Sequence, residues 1–295
     1  MTRVAAVDLG TNATRLLVAD VVDGRVDEIL RRTRITRLGE SVDARRRLLP
    51  VPVARVRNVL AEYRRDAEAL GADRVLAVAT SAVRDAENGE AFLGEIEWSY
   101  GFSTALLSGD EEAALTRRGV GPVEPETLIL DVGGGSTELS VDGGSVSLDV
   151  GSVRLTERYL AHDPPAADEL ARAEAHVAAL LPSWSAATAL GVDGTSAELA
   201  ALAGTPTVER GFVDEQLARL GALAAADRRP LLRLEPDRAE AIVAGVLIVR
   251  AVLAHFGLGG IAHSGRDLLH GAALAAADLS APAEGAAPPG AYTCC

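Results

Sequence analysis

Two stretches of the sequence place glycine, hydroxyl and carboxylate residues directly after a short hydrophobic run: DLGTNATR at 8–15 and DVGGGSTE at 131–138. Glycine lets the backbone approach a ligand closely, and successive free N–H groups in a glycine turn suit an anion. Ser136 and Thr137 add hydroxyl donors beside the second turn. Taken alone, the second stretch is also compatible with a glycine hairpin that binds nothing. The presence of two donor-rich turns favours a phosphate held from both sides.

The two stretches are copies of one pattern, 123 residues apart. With Asp8 aligned on Asp131, four further identities follow: Gly10 with Gly133, Thr14 with Thr137, Leu16 with Leu139, and Val18 with Val141. Each copy is predicted to be a strand–turn–strand unit. Two such units indicate a duplicated α/β domain with a cleft between its halves, and chance resemblance between two glycine turns is the alternative.

A bound phosphate needs cations, and two arginines are placed to supply them. Arg15 lies within the first turn, and Arg84 follows a buried run at the carboxyl end of a predicted strand, where α/β proteins build their sites. Asp8, Asp131 and Glu138 would repel the same phosphate unless a divalent cation were bound between them. The sequence therefore predicts Mg²⁺ or Mn²⁺ at these three carboxylates.

Two adjacent glutamates in SGDEEAAL, at 108–115, could position a water molecule. Ser108 and Glu111 match the capping box, in which the glutamate folds back onto the N–H group at the helix start. Glu112 then lies on a different face of the helix, so we predict that Glu112 is the catalytic residue. Simple complementation of the helix dipole is the alternative for both glutamates.

A similar pattern, GVDGTSAEL at 191–199, predicts a second capping box formed by Thr195 and Glu198. Its glycine-rich turn before a helix is a candidate second contact for an anion or a nucleotide. The five histidines show no metal-binding spacing, and we interpret them as structural or surface residues.

The hydrophobic pattern places these motifs in alternating strands and helices. Strands are predicted within 3–10, 13–30, 74–80, 103–109 and 126–150. Helices are predicted at 53–71, 89–101 and 110–120. The remainder reads as mostly helical, with short strand-and-turn segments at 187–195 and 259–265, and a disordered tail at 281–295.

Composition excludes several classes of protein. The 295 residues carry a net charge of −13, which argues against a sequence-independent nucleic-acid binder. All 29 basic residues are arginine, so a Walker P-loop, which needs lysine, is impossible. The longest apolar run, 241–256, is too short to span a bilayer, and Cys294 and Cys295 cannot form a disulfide framework. We therefore expect a cytoplasmic protein without membrane or nucleic-acid partners.

Four ordered motifs resemble the exopolyphosphatase and guanosine pentaphosphate phosphohydrolase family: VAAVDLGTNATRLLVAD, VATSAVRDAENGEAFL, LLSGDEEAALTRRGV and LILDVGGGSTELSV. The resemblance extends from about residue 3 to 278. It implies an α/β protein with two ribonuclease-H-like (actin-like ATPase) domains around a central cleft. The implied domains are 1–122 with about 273–280, and 123–272.

The resemblance also implies an activity: Mg²⁺-dependent removal of the terminal phosphate from inorganic polyphosphate or pppGpp, often by a homodimer. The family's catalytic glutamate matches Glu112, its metal and water carboxylates match Asp131 and Glu138, and its phosphate-binding arginine matches Arg84. The implied phosphate-loop donors are Thr11, Asn12, Gly133, Gly134, Gly135, Ser136 and Thr137.

The sequence departs from the family pattern at two loops. Ala13 stands where relatives often carry serine, and GVDGT at 191–195 replaces a typical GTATT. The chain also lacks the helical domains of longer members, so we expect a preference for shorter chains. Two rival functions stay open at this stage: a kinase or ATPase of the same superfamily, and a non-catalytic protein that binds polyphosphate or pppGpp.

Overall fold

The computed structural model describes residues 1–280 and divides them into two compact units. The first unit comprises Met1–Val120 and, at the end of the described chain, residues 268–280, and the second comprises Gly121–Asp267. The chain thus returns to the first unit at Leu268 rather than near residue 273, because the whole C-terminal helix packs in the core of that unit. The expected tail at 281–295, with Cys294 and Cys295, lies outside the described residues.

The strands alternate with helices along the chain. The strands are β1 Thr2–Leu9, β2 Ala13–Val22, β3 Arg25–Ile35, β4 Arg74–Ala79, β5 Ser103–Leu106, β6 Thr127–Val132, β7 Thr137–Val141, β8 Gly144–Leu148, β9 Thr188–Gly191, β10 Thr207–Glu209 and β11 Gly260–His263. The helices are α1 Val42–Arg45, α2 Pro50–Ala69, α3 Ser81–Arg84, α4 Gly89–Tyr100, α5 Gly109–Val120, α6 Ser152–Tyr159, α7 Ala167–Leu180, α8 Gly194–Ala203, α9 Arg210–Gly221, α10 Ala225–Arg228, α11 Ile242–His255 and α12 Leu268–Asp278.

The two units contain sheets of the same topology. In the first sheet the order is β3-β2-β1-β4-β5, with an antiparallel meander of β1, β2 and β3 extended by parallel β4 and β5. In the second sheet β8, β7, β6, β9 and β11 repeat this order and these directions, and β10 adds an antiparallel edge strand. The predicted fold class, α/β with two ribonuclease-H-like domains, is therefore confirmed.

Residues 4–7 of strand β1 are an unbroken hydrophobic run, and the packing of the strand explains why. Val4 and Ala6 face a core formed with α12, whereas Ala5, Val7 and Leu9 face a second core formed with α2 and α4. A strand that is covered on both faces needs apolar side chains at every position. The run ends at Asp8, which is still inside the strand and is buried.

Helix α11 forms the centre of the second unit's core, and almost all of its side chains are buried. Its one arginine, Arg250, forms an ion pair with Glu174 of α7. None of the helices within residues 1–280 combines the length and the apolar surface that crossing a membrane requires.

Three elements were not predicted from the sequence, and a fourth begins earlier than predicted. Strand β10 has only three residues, and α1 and α3 have only four each, which is too short for hydrophobic periodicity to reveal. Helix α2 begins at Pro50 instead of residue 53, with proline in its first turn, where the missing N–H group costs nothing.

Candidate active site

The first donor-rich turn joins β1 to β2. Gly10 N donates to Ala13 O at 3.1 Å, and an added Cβ on Gly10 would lie 2.9 Å from that same oxygen. Glycine is thus required for space at this position. Between these residues lie Thr11 and Asn12, each only 7% exposed. Among the described residues, Thr11 Oγ1 and Asn12 Nδ2 are buried and have no hydrogen-bond partner.

The second turn joins β6 to β7 and has the same construction. Gly133 N donates to Ser136 O at 3.0 Å, and an added Cβ would lie 3.0 Å from that oxygen. Asp131 pairs with Glu138 across this hairpin, as Asp8 pairs with Arg15 across the first. The registers agree residue for residue with the sequence alignment, so the predicted strand–turn–strand repeat is confirmed.

Thr137 has a different role from the predicted one. Its hydroxyl group is fully buried and donates to Val150 O, in the segment that follows β8. A hydroxyl hydrogen that is donated to a protein carbonyl is not available to a phosphate oxygen. In the structure Thr137 therefore supports the loop, and Gly134, Gly135 and Ser136 stay predicted phosphate donors.

Outside each turn, one glycine packs closely against the turn backbone or a turn side chain. Neither glycine was among the residues predicted for the site. Gly39 N donates to Thr11 O at 2.8 Å, and an added Cβ on Gly39 would lie 2.2 Å from Thr11 Cγ2. An added Cβ on Gly151 would lie 2.5 Å from the carbonyl carbon of Gly134. Both glycines follow a buried aliphatic residue after the third strand of a sheet, but they are 112 residues apart and therefore do not align at the 123-residue offset of the hairpins.

Asp8 and Arg15 interact with each other in the first unit. Arg15 Nε and Nη2 lie 2.8 Å and 2.7 Å from Asp8 Oδ2, and Asp8 is buried. The predicted roles were a metal ligand for Asp8 and a phosphate contact for Arg15. The structure instead pairs the two charges, which explains how a buried carboxylate is accommodated next to the turn.

Asp131 and Glu138 face each other in the second unit, and both are buried. Ser147 Oγ donates to Glu138 Oε1 at 2.7 Å. Directly opposed carboxylates repel each other, and a divalent cation is the natural complement of such a pair. Within residues 1–280 no group of three or more His, Cys, Asp or Glu residues could hold a metal ion. Two carboxylates fit Mg²⁺, which commonly takes one or two and completes its shell with water and phosphate oxygens.

The capping box at the start of α5 is confirmed. Ser108 N and Oγ both donate to Glu111 Oε2 at 2.8 Å, and Glu111 N donates to Ser108 Oγ at 3.3 Å. These bonds, first that from the Ser108 backbone N–H, hold the pKa of Glu111 below its ordinary value. Glu111 is thereby committed to the helix start. Glu112, the next residue, is 6% exposed and takes no part in this capping box.

The structure brings Arg84 and Glu112 together. Arg84 lies at the end of α3, where its Nη1 donates to Leu107 O at 2.7 Å and lies 3.5 Å from Glu112 Oε2. The carbonyl fixes the guanidinium, so Arg84 is held beside the carboxylate. A cation and a buried carboxylate in this arrangement can together bind an anion and orient a water molecule.

The prediction of a second capping box, formed by Thr195 and Glu198, is wrong. The residue that caps α8 is Asp193, whose Oδ1 accepts from Thr195 N at 2.6 Å and Ser196 N at 2.9 Å. Glu198 is fully buried and accepts from the backbone N–H groups of Arg233 and Leu234 instead. Hydrogen bonds between a carboxylate and a loop far away in the sequence cannot be predicted from the residues next to that carboxylate.

The chain matches the model of the Ppx/GppA phosphatase family over residues 17–278. It is 35% identical to Exopolyphosphatase 2 of Mycobacterium tuberculosis, over 94% of this chain and 99% of that protein. A solved exopolyphosphatase-like protein superimposes with a TM-score of 0.86 at 29% identity, covering 93% of this chain and 97% of that one.

The Aquifex aeolicus PPX-GPPA enzyme superimposes with a TM-score of 0.75 at 29% identity, covering 93% of this chain and 99% of that one. The family match covers most of the chain, and the structural likeness extends over both units. The chain therefore belongs to the Ppx/GppA phosphatase family and has its two-domain actin-like fold.

Proposed function

We propose that this protein is an exopolyphosphatase that removes the terminal phosphate of inorganic polyphosphate chains of modest length. Membership of a phosphatase family whose relatives are named exopolyphosphatases supports hydrolysis of a phosphoanhydride bond. The reaction is an in-line attack of water on the terminal phosphoryl group. Such a reaction depends mainly on positioning and on electrostatic stabilisation, which are what the described residues can supply.

Glu112 orients the attacking water and accepts its proton. Its position supports this role because it is buried, while its neighbour Glu111 is occupied by the capping box. Arg84, held 3.5 Å from Glu112 Oε2, neutralises charge on the phosphoryl oxygens next to the water. Removing a general base typically slows catalysis by about 10²- to 10⁴-fold.

The observation that carries the proposal is the pair of buried donors in the first turn. Among the described residues, Thr11 Oγ1 and Asn12 Nδ2 have no hydrogen-bond partner, although both side chains are largely buried. A buried polar group without a partner costs free energy unless a ligand satisfies it. We propose that phosphate oxygens accept these two hydrogen bonds. We also propose that the backbone N–H groups of Gly134 and Gly135 bind phosphate.

Asp131 and Glu138 would hold a divalent cation, with Mg²⁺ favoured and Mn²⁺ as the second choice. When bound, the cation would neutralise negative charge on the phosphates. Asp8 is paired with Arg15. We therefore place the protein's metal contacts on the second hairpin.

A phosphate-release assay tests the proposal, with tripolyphosphate, longer polyphosphate, pppGpp and ATP as substrates, each with and without Mg²⁺. The decisive variant is Glu112→Gln, which keeps the size of the side chain and removes the base. We expect a loss of about 10²- to 10⁴-fold in kcat with little change in Tm. Glu111→Gln is the matched control, because its amide oxygen can still accept the capping bonds. Near-wild-type turnover by Glu112→Gln would exclude the assignment.

The same assay separates the rival functions. Faster hydrolysis of pppGpp than of polyphosphate would identify a pppGpp 5′-phosphohydrolase, and binding without phosphate release would identify a sensor. Phosphate transfer that requires an acceptor would identify a kinase.

We also propose that the protein is a homodimer and is located in the cytoplasm. Light scattering after size-exclusion chromatography would test the dimer, and cell fractionation would test the location.

A further inference from the structure

A strongly basic segment lies beside the first turn in an otherwise acidic chain. Residues 31–57 contain nine arginines and two carboxylates, a net charge of +7, whereas the whole chain carries −13. Most of these arginines form ion pairs, including Arg55 with Glu40 and Arg57 with Glu95. Three of the arginines are adjacent, and we define Arg45–Arg47 as the arginine turn.

The arginine turn is exposed and hardly neutralised. Arg45 and Arg47 are exposed and have no carboxylate partner among residues 1–280. Arg46 reaches Asp85 Oδ1 only at 3.9 Å, with 58% of its side chain exposed. Like charges repel, so three adjacent guanidinium groups with so little compensation favour an anionic ligand.

The backbone holds this turn between two parts of the candidate site. On one side, Arg37 N donates to Asn12 O at 2.9 Å, so the segment that leads to the turn is bonded to the donor-rich loop. On the other side, Glu87 N donates to Arg46 O at 2.8 Å. Glu87 lies three residues after Arg84, so at most about 11 Å of chain separates them.

Local conformation fixes the direction of the turn. Arg46 has φ 53° and ψ 31°, the left-handed conformation that non-glycine residues seldom adopt, and its N–H donates to Val42 O at 2.8 Å. Leu48 N donates to Asn88 Oδ1 at 2.8 Å, and Asn88 Nδ2 donates back to Leu48 O at 3.1 Å. These bonds anchor both ends of the turn and leave the arginine side chains in solvent.

We propose that the arginine turn binds internal phosphates of the polymer, several units away from the phosphate that is hydrolysed. This inference rests on the proposed function, and it identifies the substrate as a linear polyanion longer than tripolyphosphate. Guanidinium groups suit such a ligand because each can contact phosphate oxygens through two N–H groups. A nucleotide substrate has no phosphate at a comparable distance along a chain.

The test compares tripolyphosphate with polyphosphate of a few tens of units, using Arg45→Gln/Arg47→Gln. We expect the ratio of kcat/KM for the longer chain to that for tripolyphosphate to fall about three- to tenfold, the effect of two exposed ion pairs. The fall should appear in KM, and added salt should lower the wild-type ratio toward that of the variant. The matched control is Arg25→Gln/Arg65→Gln, two exposed arginines of the same unit without carboxylate partners, which should keep the wild-type ratio.

An unchanged ratio in Arg45→Gln/Arg47→Gln would overturn the proposal. So would an equal loss with both substrates, or a similar fall in the control. If the wild type released phosphate from neither substrate, the proposed function would fail, and binding would then decide about the arginine turn. If the wild type binds the longer polyphosphate at low salt and the variant does not, the proposal for the arginine turn is supported. If both bind it equally, the proposal is refuted.

Discussion

Gly151 offers a direct test of how the second turn is positioned. An added Cβ on this residue would lie 2.5 Å from the carbonyl carbon of Gly134 and 2.6 Å from Gly135 N. Ordinary contact begins at 3.4 Å, so the Gly134 backbone would have to move by about 0.9 Å. The backbone of Gly151 has φ −142° and ψ 171°, which any residue can adopt. Gly151→Ala therefore perturbs the turn by contact alone.

A displacement of about 1 Å in a catalytic group costs on the order of 10²-fold in rate. We accordingly expect Gly151→Ala to lower kcat for polyphosphate by about 10²-fold. Its Tm should fall much less than its activity, because the aliphatic core of the second unit is untouched. Phosphate release and thermal unfolding are measured on the same preparation.

Gly211→Ala is the matched control for Gly151→Ala. Gly211 lies in α9 of the same unit, and nothing lies within 4 Å of an added Cβ there. Alanine is a better helix former than glycine, so this variant should keep its activity and gain a little stability. Wild-type kcat in Gly151→Ala would refute the idea that Gly151 sets the position of the turn, as would equal losses in both variants.

Two further predictions concern charge. Asp131→Asn should raise the Mg²⁺ concentration for half-maximal phosphate release at least tenfold, measured by metal titration, whereas Asp149→Asn, an exposed neighbour, should not. Glu169 has its pKa lowered to about 2, first by the Ala166 N–H and then by His162, whose own pKa is raised by Glu169. The Glu169 contribution to stability is therefore complete above about pH 4.5 and lost toward pH 2, while that of His162 fades as pH rises above about 6.5. In Glu169→Gln, Tm should depend less on pH in both ranges, and an unaltered profile would contradict this.

Local patterns predicted the parts of the site that depend on nearby residues. Ser108 and Glu111 are three residues apart, and the capping box that they form can be read directly from that spacing. The two hairpins follow from a repeat in which each turn is fixed by its own glycine.

Contacts between distant segments could not be predicted in this way. Glu198 has the spacing of a capping residue, yet its carboxylate accepts from Arg233 and Leu234, which are 35 and 36 residues away. Gly39 and Gly151 look like ordinary loop glycines until the chain that presses on them is in place. Asp193 takes the cap because aspartate before a helix is as strong a cap as threonine and lies at the right position.

The two hairpins differ in the residue that lies opposite the buried aspartate. In both hairpins a buried aspartate precedes the turn, and the residue paired with it on the next strand determines which charge lies opposite it. In the first unit that position is Arg15, which neutralises Asp8 within the protein. In the second unit it is Glu138, which adds a second negative charge opposite Asp131. Like charges at such a pair are costly to bury, so their retention is explained if a cation joins them when substrate binds. Under the proposed function, the first hairpin is predicted to donate neutral hydrogen bonds to phosphate, and the second is predicted to hold the cation.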